Sequence, residues 1–249
     1  MRALGRRVPG LTLGLAVLAA AAVLAAGPGY RIGWWGLGAA FTLLRYGAEL
    51  ALLTGAIALV AVAVCGATGS GRRLGIGLLA LVIALAAFGV PWRLLGQARR
   101  VPPIHDITTD LEDPPAFVAV VGQRAGARNP VEYAGLAVAA QQRAGYPDLG
   151  PLDFAAPPER VFPAVDAAAR GFGWEIVAAI PAEGRLEATA TTPWFGFKDD
   201  VVVRVRAHNG GSRVDVRSLS RIGGSDLGTN ARRVRAFLDR LRASGLPPA

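Results

Sequence analysis

The run Val-Val-Val-Arg-Val-Arg-Ala-His-Asn-Gly-Gly-Ser-Arg-Val-Asp-Val-Arg-Ser, residues 201–218, decides how the C-terminal part of this chain folds. Val201, Val203, Val205 and Ala207 alternate with Val202, Arg204, Arg206 and His208, the period-two pattern of a strand with one buried face. After Asn209-Gly210 the pattern resumes in Val214, Val216 and Ser218. Keeping the valines on one face needs an even-numbered loop, which Asn-Gly supplies as a two-residue hairpin turn. That register predicts Arg204 opposite Asp215.

A second pair of alternating runs lies upstream. Trp174, Ile176, Ala178 and Ile180 face one way, Pro181 to Gly184 turn, and Leu186, Ala188 and Ala190 return on the same side. Two helical patterns flank the four strands. Glu159 to Arg170 places Val161, Val165 and Ala168 or Ala169 inward, with Pro163 predicting a kink or a later start. Ser225 to Ala243 carries Leu227, Ala231, Val234, Leu238 and Leu241 as one buried stripe. The order helix, four-stranded antiparallel sheet, helix defines an α+β domain over residues 158–249.

Residues 99–157 read differently. Pro102-Pro103, Pro114-Pro115, Asn129-Pro130, Tyr146-Pro147 and Pro157-Pro158 interrupt any long element, so an extended segment packing on the domain is expected. One short helix is predicted inside it: Asn129 as cap, Pro130 at the first position, Glu132 as capping-box acid, and Tyr133, Leu136, Ala137 and Ala140 at helical spacing.

Ahead of all this, Val8 to Tyr30, Leu50 to Gly71 and Leu74 to Trp92 carry no charged side chain. At about 1.5 Å per residue each can cross a hydrocarbon core of about 30 Å. Three N-terminal transmembrane helices are therefore predicted, spanning about 8–28, 48–70 and 74–95, in a membrane domain of residues 1–98. A cleaved signal peptide is the competing reading of the first stretch, from its basic start and the small residues around Ala25 and Ala26. Arg2, Arg6 and Arg7 before the first span and Arg72 and Arg73 between the second and third fit a cytoplasmic N-terminus and a tail outside the cytoplasm. Tyr30, Trp34, Trp35 and Trp92 then form an outer aromatic belt, while Arg93, Arg99 and Arg100 run against the scheme. Either reading of the first stretch leaves the tail on the outer side. Arg45 and Glu49, four apart, read as a helix-surface pair at the interface.

Net charge is +9, but its distribution matters more. Residues 1–100 hold ten Arg and one acid, whereas residues 101–249 hold seventeen basic and seventeen acidic side chains. The excess flanks the membrane spans and the tail is neutral, so no nucleic-acid footprint is present. Lys198 is the only lysine against twenty-six arginines, a bias that in an Ala- and Gly-rich chain reads as codon usage. The single cysteine, Cys65, sits in the second apolar stretch as a small hydrophobe.

Pro102-Pro103-Ile104-His105-Asp106-Ile107-Thr108-Thr109-Asp110, then Pro114-Pro115-Ala116-Phe117, carry a resemblance. So do Tyr146-Pro147-Asp148 with Pro151-Leu152, Trp194 to Val201, and Arg217 to Gly228 with Asn230-Ala231. Over roughly residues 100–243 the chain resembles the bacterial and plastid family called domain of unknown function 1499. Membrane spans ahead of this domain are similar to those of many bacterial members. The resemblance implies a fold and a location, without an activity or a catalytic set.

Two groups of residues are candidate sites. Arg217, Ser218, Ser220, Arg221, Ser225, Asp226 and Asn230 combine guanidinium forks, hydroxyls and, through Gly223-Gly224, an approachable backbone at a helix start, which suits an anion. The competing reading is that Ser225 caps the helix and Asp226 meets its dipole. The second group, His105, Asp106, Asp110, Asp199 and Asp200, has groups for acid-base or metal chemistry. The chain has no histidine upstream of His105, so hydrogen bonds from these residues to backbone are the plainer expectation.

Ser218 or Ser220 with His208 and Asp215 makes a catalytic triad only on paper, since no G-x-S-x-G turn holds a nucleophile. Trp194, Phe195 and Phe197 are expected to close one end of the core. Arg232, Arg233, Arg235, Arg240 and Arg242 on the last helix read as a solvated face, with anionic lipid headgroups as the alternative. No metal and no cofactor are implied. The chain reads as a multi-pass protein of the bacterial cytoplasmic membrane. Its outer domain is expected to bind an envelope protein partner or an anionic ligand without catalysis; an envelope hydrolase or transferase using His105 and the carboxylates is the alternative.

Overall fold

The computed structural model describes residues 2–249, with side chains from Arg7 onward, so the side chains of Arg2 and Arg6 invoked for sidedness lie outside it. The chain divides into two units. The first comprises Met1–Gly96 with Trp194–Gly196, and the second comprises Gln97–Pro193 with Phe197–Ala249.

In the first unit, helices α1 (Arg2–Arg31), α2 (Leu37–Ala67) and α3 (Gly71–Ala98) are each long and apolar enough to cross a membrane. Their contacts are made by small residues. Ala16, Ala58, Ala80 and Ala84 form one buried cluster and Ala19, Ala51 and Ala87 another. A Cβ on Gly47 would stand 2.9 Å from Val23, so glycine there lets α2 come close to α1. Leu18, Leu24, Leu53, Val60 and Leu85 point outward instead, as side chains that meet lipid do. Trp194–Gly196 group with these helices rather than closing the sheet core where the sequence placed them.

The second unit is the α+β domain, and its sheet has six strands rather than four. The expected four are β3 (Glu175–Ile180), β4 (Arg185–Thr191), β5 (Lys198–His208) and β6 (Gly211–Ser220). Two three-residue strands come from the proline-rich segment: β1 (Asp106–Thr108) and β2 (Leu152–Phe154), both antiparallel to β6 and along its outer edge. The order is β1-β6-β5-β4-β3, with β2 also on β6. The Asn209-Gly210 turn holds the expected register, with both residues at positive φ (48° and 79°) and Arg204 opposite Asp215. The register slips in β3: a bulge between Ile176 and Ala178 sets Ala178 opposite Glu187, so Trp174 and Ile176 keep the predicted facing toward the core while Ala178 and Ile180 lose it.

Two helices plate one face. Helix α5 (Pro158–Gly171) runs through Pro163, and α6 (Thr229–Arg242) starts four residues later than predicted. Gly228 at φ 73° and Leu227 at φ 53° form a non-helical approach to α6 that Ser225 and Asp226 brace. Between helices and sheet, Val161, Val165, Val234, Phe237 and Leu241 meet Leu186, Val203, Val205, Val214 and Val216 in one core. Phe237 is wholly buried and its ring stands 5.2 Å from that of Trp174.

The other face is covered by a strap, residues 109–133, which contains a 3-10 turn at Ala119–Gln123. Phe117 and Val120 on it pack against Val202 and Leu219. Helix α4 (Leu136–Gly145) begins well after the predicted cap, because Gly135 at φ 76° breaks the backbone and Asn129 is spent elsewhere.

Phe237→Ala removes the ring on which α5, α6 and β3 converge. A loss of about 3–5 kcal/mol is expected, read as a lower urea midpoint for the purified protein; an unchanged midpoint would show that this core does not set stability.

Candidate functional site

Adjacent residues of a strand point to opposite faces, and this rule splits both candidate groups. Arg217 and Asp200 lie on the strap face, Ser218 and Asp199 on the helix face. What reads as one site in sequence is two clusters with the sheet between them.

On the strap face, Arg217 is buried and fully engaged. Its Nε and Nη2 donate to the two oxygens of Asp106 at 3.0 and 2.8 Å, and Nη2 and Nη1 donate to the carbonyls of Val131 (2.7 Å) and Pro115 (3.3 Å). Its guanidinium also lies over the rings of Phe117 (4.9 Å) and Tyr133 (5.5 Å), a further source of attraction for a desolvated cation. Burial, with Asp106 nearby, pushes the Tyr133 phenol up to about 12, so it stays neutral beside this pair.

Arg221 belongs to the same fastening. It donates to both oxygens of Asp200 (2.7–3.1 Å), to Thr189 Oγ1 (3.1 Å) and to the carbonyl of Gln123 (2.8 Å). Arg124 of the strap binds Asp200 from the other side and reaches the Asn129 carbonyl at 2.7 Å. The backbone of Arg221 accepts from Arg128 and Asn129, and the Asn129 side chain donates to the carbonyls of Ser220 and Gly223, each at 2.9 Å. Glu187 of β4 accepts the amides of Val118, Ala119 and Val120 at 2.9–3.1 Å, capping the 3-10 turn from a different element.

At the far end of the strap, Arg204 and Arg206 both bind Asp110 and Asp113. Asp110 is drawn two ways: burial raises its pKa, while the amides of Asp113 and Glu112 and the two arginines lower it. The lowering prevails. Asp215 shows the reverse balance, its pKa raised by burial in spite of Arg204 and Arg206.

On the helix face, the second cluster gathers at the start of α6. Ser218 donates to Asn230 Oδ1 (2.8 Å), and Asn230 Nδ2 donates to the His105 carbonyl (2.9 Å) and to Ser220 Oγ (3.0 Å). Arg233 joins Asp199 (2.6 Å) to Ser218 (3.0 Å). The anion site expected at the helix start is occupied by the chain itself, because the Asp226 carboxylate accepts the amides of Gly228 (2.8 Å) and Asn230 (2.6 Å). Burial raises the pKa of Asp226 more than these two amides lower it.

The structure thus brings Ser218, Ser220, Asp199, Asn230 and the His105 backbone together, and separately Arg217, Arg221, Asp106 and Asp200, with Asp110 further along the strap. Ser225 only accepts the amide of Leu227, at 3.3 Å. His208 is at the hairpin tip against Asn209, and Ser218 and Asp215 face opposite sides of the sheet, so no triad assembles. Among the described residues no group of three or more His, Cys, Asp or Glu side chains is arranged to hold a metal ion. On the last helix Arg235 pairs with Asp148 and Arg242 with Asp239, while Arg232 and Arg233 are bound at the helix start.

Sequence reasoning missed Arg124 and Glu187 and placed Arg233 on a solvated face, whereas it is paired with the buried Asp199. Glu187 alternates with Leu186 and Ala188, a pattern that marks the face opposite the core without showing that a strap covers it. Arg124 lies in a segment with no periodicity to place it.

A six-stranded antiparallel sheet, plated by two helices on one side and fastened under an arginine-pinned strap on the other, defines a class of α+β domain. The chain belongs to the family described as Protein of unknown function (DUF1499), which matches residues 106–241, more than half of it. The match opens on the first residue of β1 and closes on the last buried residue of α6. A search of curated proteins gives no match.

Arg217→Ala leaves Asp106 buried without its partner and is expected to cost about 3–5 kcal/mol, measured by urea unfolding; a loss no larger than an exposed pair gives would refute the pinning role. Asp110→Asn tests the pH linkage. A carboxyl with a lowered folded pKa stabilises above its unfolded value near 3.8 and loses that contribution as pH falls through the folded value. Wild type should therefore exceed the variant in stability at pH 7, and the gap should close below pH 3.8; a gap independent of pH would overturn the assignment.

Proposed function

We propose that this is a multi-pass protein of a bacterial cytoplasmic membrane that holds its α+β domain outside the cytoplasm, as a non-catalytic module binding a protein partner or an anionic ligand in the cell envelope. The observation that carries the non-catalytic part is the state of the carboxylates. Asp106, Asp199 and Asp200 each lie against one or two guanidinium groups in bonds that leave little capacity for a substrate. A general acid or base needs a proton free to move at a reacting atom. These groups are committed to holding a strap and a helix start.

Sidedness follows from charge. Three apolar helices and an N-terminal arginine cluster on the cytoplasmic side send the chain after Trp92 outward, and Arg72 with Arg73 stays inside between the last two spans. Within the Arg217 to Asn230 segment most polar groups have partners in the fold, so a ligand there would contact its exposed part, around Gly223 and Gly224.

Fusions after Ala249 test the proposal. Alkaline phosphatase should be active and green fluorescent protein dark in intact cells. A bright fluorescent fusion with inactive phosphatase places the domain in the cytosol and removes the envelope role.

A further inference from the structure

The two edges of the sheet are treated differently. On one side, β1 and β2 cover β6, and their own outer edges are closed in turn. The Gln142 side-chain amide stands in for a missing strand against Thr108, accepting its N–H (3.0 Å) and donating to its carbonyl (2.6 Å). The C-terminal residues do the same for β2. Ala155 N–H donates to the Pro247 carbonyl (3.0 Å), Ala249 N–H to the Asp153 carbonyl (3.4 Å), and Phe154 bridges Pro248.

On the opposite side β3 pairs with β4 alone. Among the described residues, no backbone or side-chain group bonds to the outward edge of Glu175–Ile180. Proteins usually guard such an edge with Lys or Pro. This strand contains neither, and its one charge is Glu175. Its only guard is the bulge at Val177.

Exposed apolar side chains collect at the same place. Val118 and Val121, 58% and 45% exposed, lie just before and within the 3-10 turn that packs beside β3 and β4. Phe172, 40% exposed, ends α5 just ahead of the strand. The fourth large exposed apolar side chain of the domain, Leu136, starts α4.

We propose that the open edge of β3 is an interface with a second copy of this chain, the two strands pairing antiparallel about a two-fold axis. Three features select this occupant. First, the edge complements itself: apolar residues meet apolar residues, and backbone donors meet acceptors. Second, the charges permit it. In full antiparallel overlap Glu175 of each copy lies opposite Ile180 of the other. The two carboxylates are then five residues apart, about 17 Å at the rise of a strand, beyond the screening length of about 8 Å in physiological salt. Nothing on the edge selects a foreign charge, since it offers no base and a single acid. Third, each copy has one open edge and one sealed edge. Pairing through β3 therefore consumes both open edges and closes at two copies, where a sheet open on both sides would propagate. The Gln142 amide and the C-terminal residues take on a purpose in this arrangement: they stop the dimer from growing.

The inference goes beyond the proposed function and does not depend on which side of the membrane the domain occupies. It is tested with the full chain in native membranes, carrying a photo-crosslinking amino acid at Val121. Illumination should give an adduct of dimer size. The same probe at Leu136 should give at least tenfold less. Ala179 is exposed, so Ala179→Lys puts a charge on the edge without disturbing the core, and it should lower the Val121 adduct at least tenfold. Absence of the dimer adduct, equal yield from Leu136, or an undiminished yield with Ala179→Lys would each overturn the proposal. An adduct to a different protein in place of the dimer also overturns it and assigns the edge to a foreign strand.

Discussion

The ion pair between Arg217 and Asp106 is the constraint on which the domain's second face depends. An antiparallel sheet can leave one face to water. This one does not: Asp106, Glu187, Asp200, Asp215 and Arg217 on that face are all buried. Charges taken out of water must be paired and hydrogen-bonded, or they cost several kcal/mol each. The covering segment is therefore fixed in detail. It must bring Arg124 to Asp200, three consecutive amides to Glu187, and the carbonyls of Pro115 and Val131 to Arg217.

Such a face contributes specificity more than net stability. Exchanging a buried ion pair for well-packed apolar groups is often neutral or favourable, whereas deleting one partner is expensive. A proline-rich segment without a strong helical or strand pattern has many ways to lie on an apolar surface. It has few ways to satisfy Arg217, Arg221 and Glu187 together. The apolar contacts of Phe117 and Val120 supply attraction, and the ion pairs supply the register. This accounts for residues that looked like a binding site: groups able to grip a ligand are equally able to grip a strap.

How much of this was legible in the sequence depends on periodicity. The β5–β6 hairpin could be read to the residue because two alternating runs and an Asn-Gly turn agree; on α6 the repeated spacing gave Ala231, Val234, Leu238 and Leu241, but Leu227 falls ahead of the helix and the buried Phe237 was not in the stripe. Strands β1 and β2 escaped because three residues cannot display a period, and their pairing with β6 is set by partners far away in the sequence. The start of α6 was misplaced because Ser225 and Asp226 look like a cap beside the helix, while Leu227 and Gly228 at positive φ carry the carboxylate back over the first turn. The candidate sites failed to stay together for a simpler reason. Proximity in sequence joined Asp199 to Asp200 and Arg217 to Ser218, and the alternation of the strands, itself visible in the sequence, separates them.

The excess of arginine over lysine takes on a different meaning in this setting. The outward-facing arginines ask for no explanation from the fold. The buried ones do. Arg217 combines a two-pronged bond to Asp106 with two carbonyls and two aromatic rings, and Asp200 is shared by two guanidinium groups approaching from different elements. A lysine ammonium, with three donors on a point charge, can neither fork onto a carboxylate nor stack flat between rings. On the sheet face the planar donors of arginine allow several partners to be held in one fixed geometry. The pattern of partners therefore separates the arginines that hold the strap from those that face water.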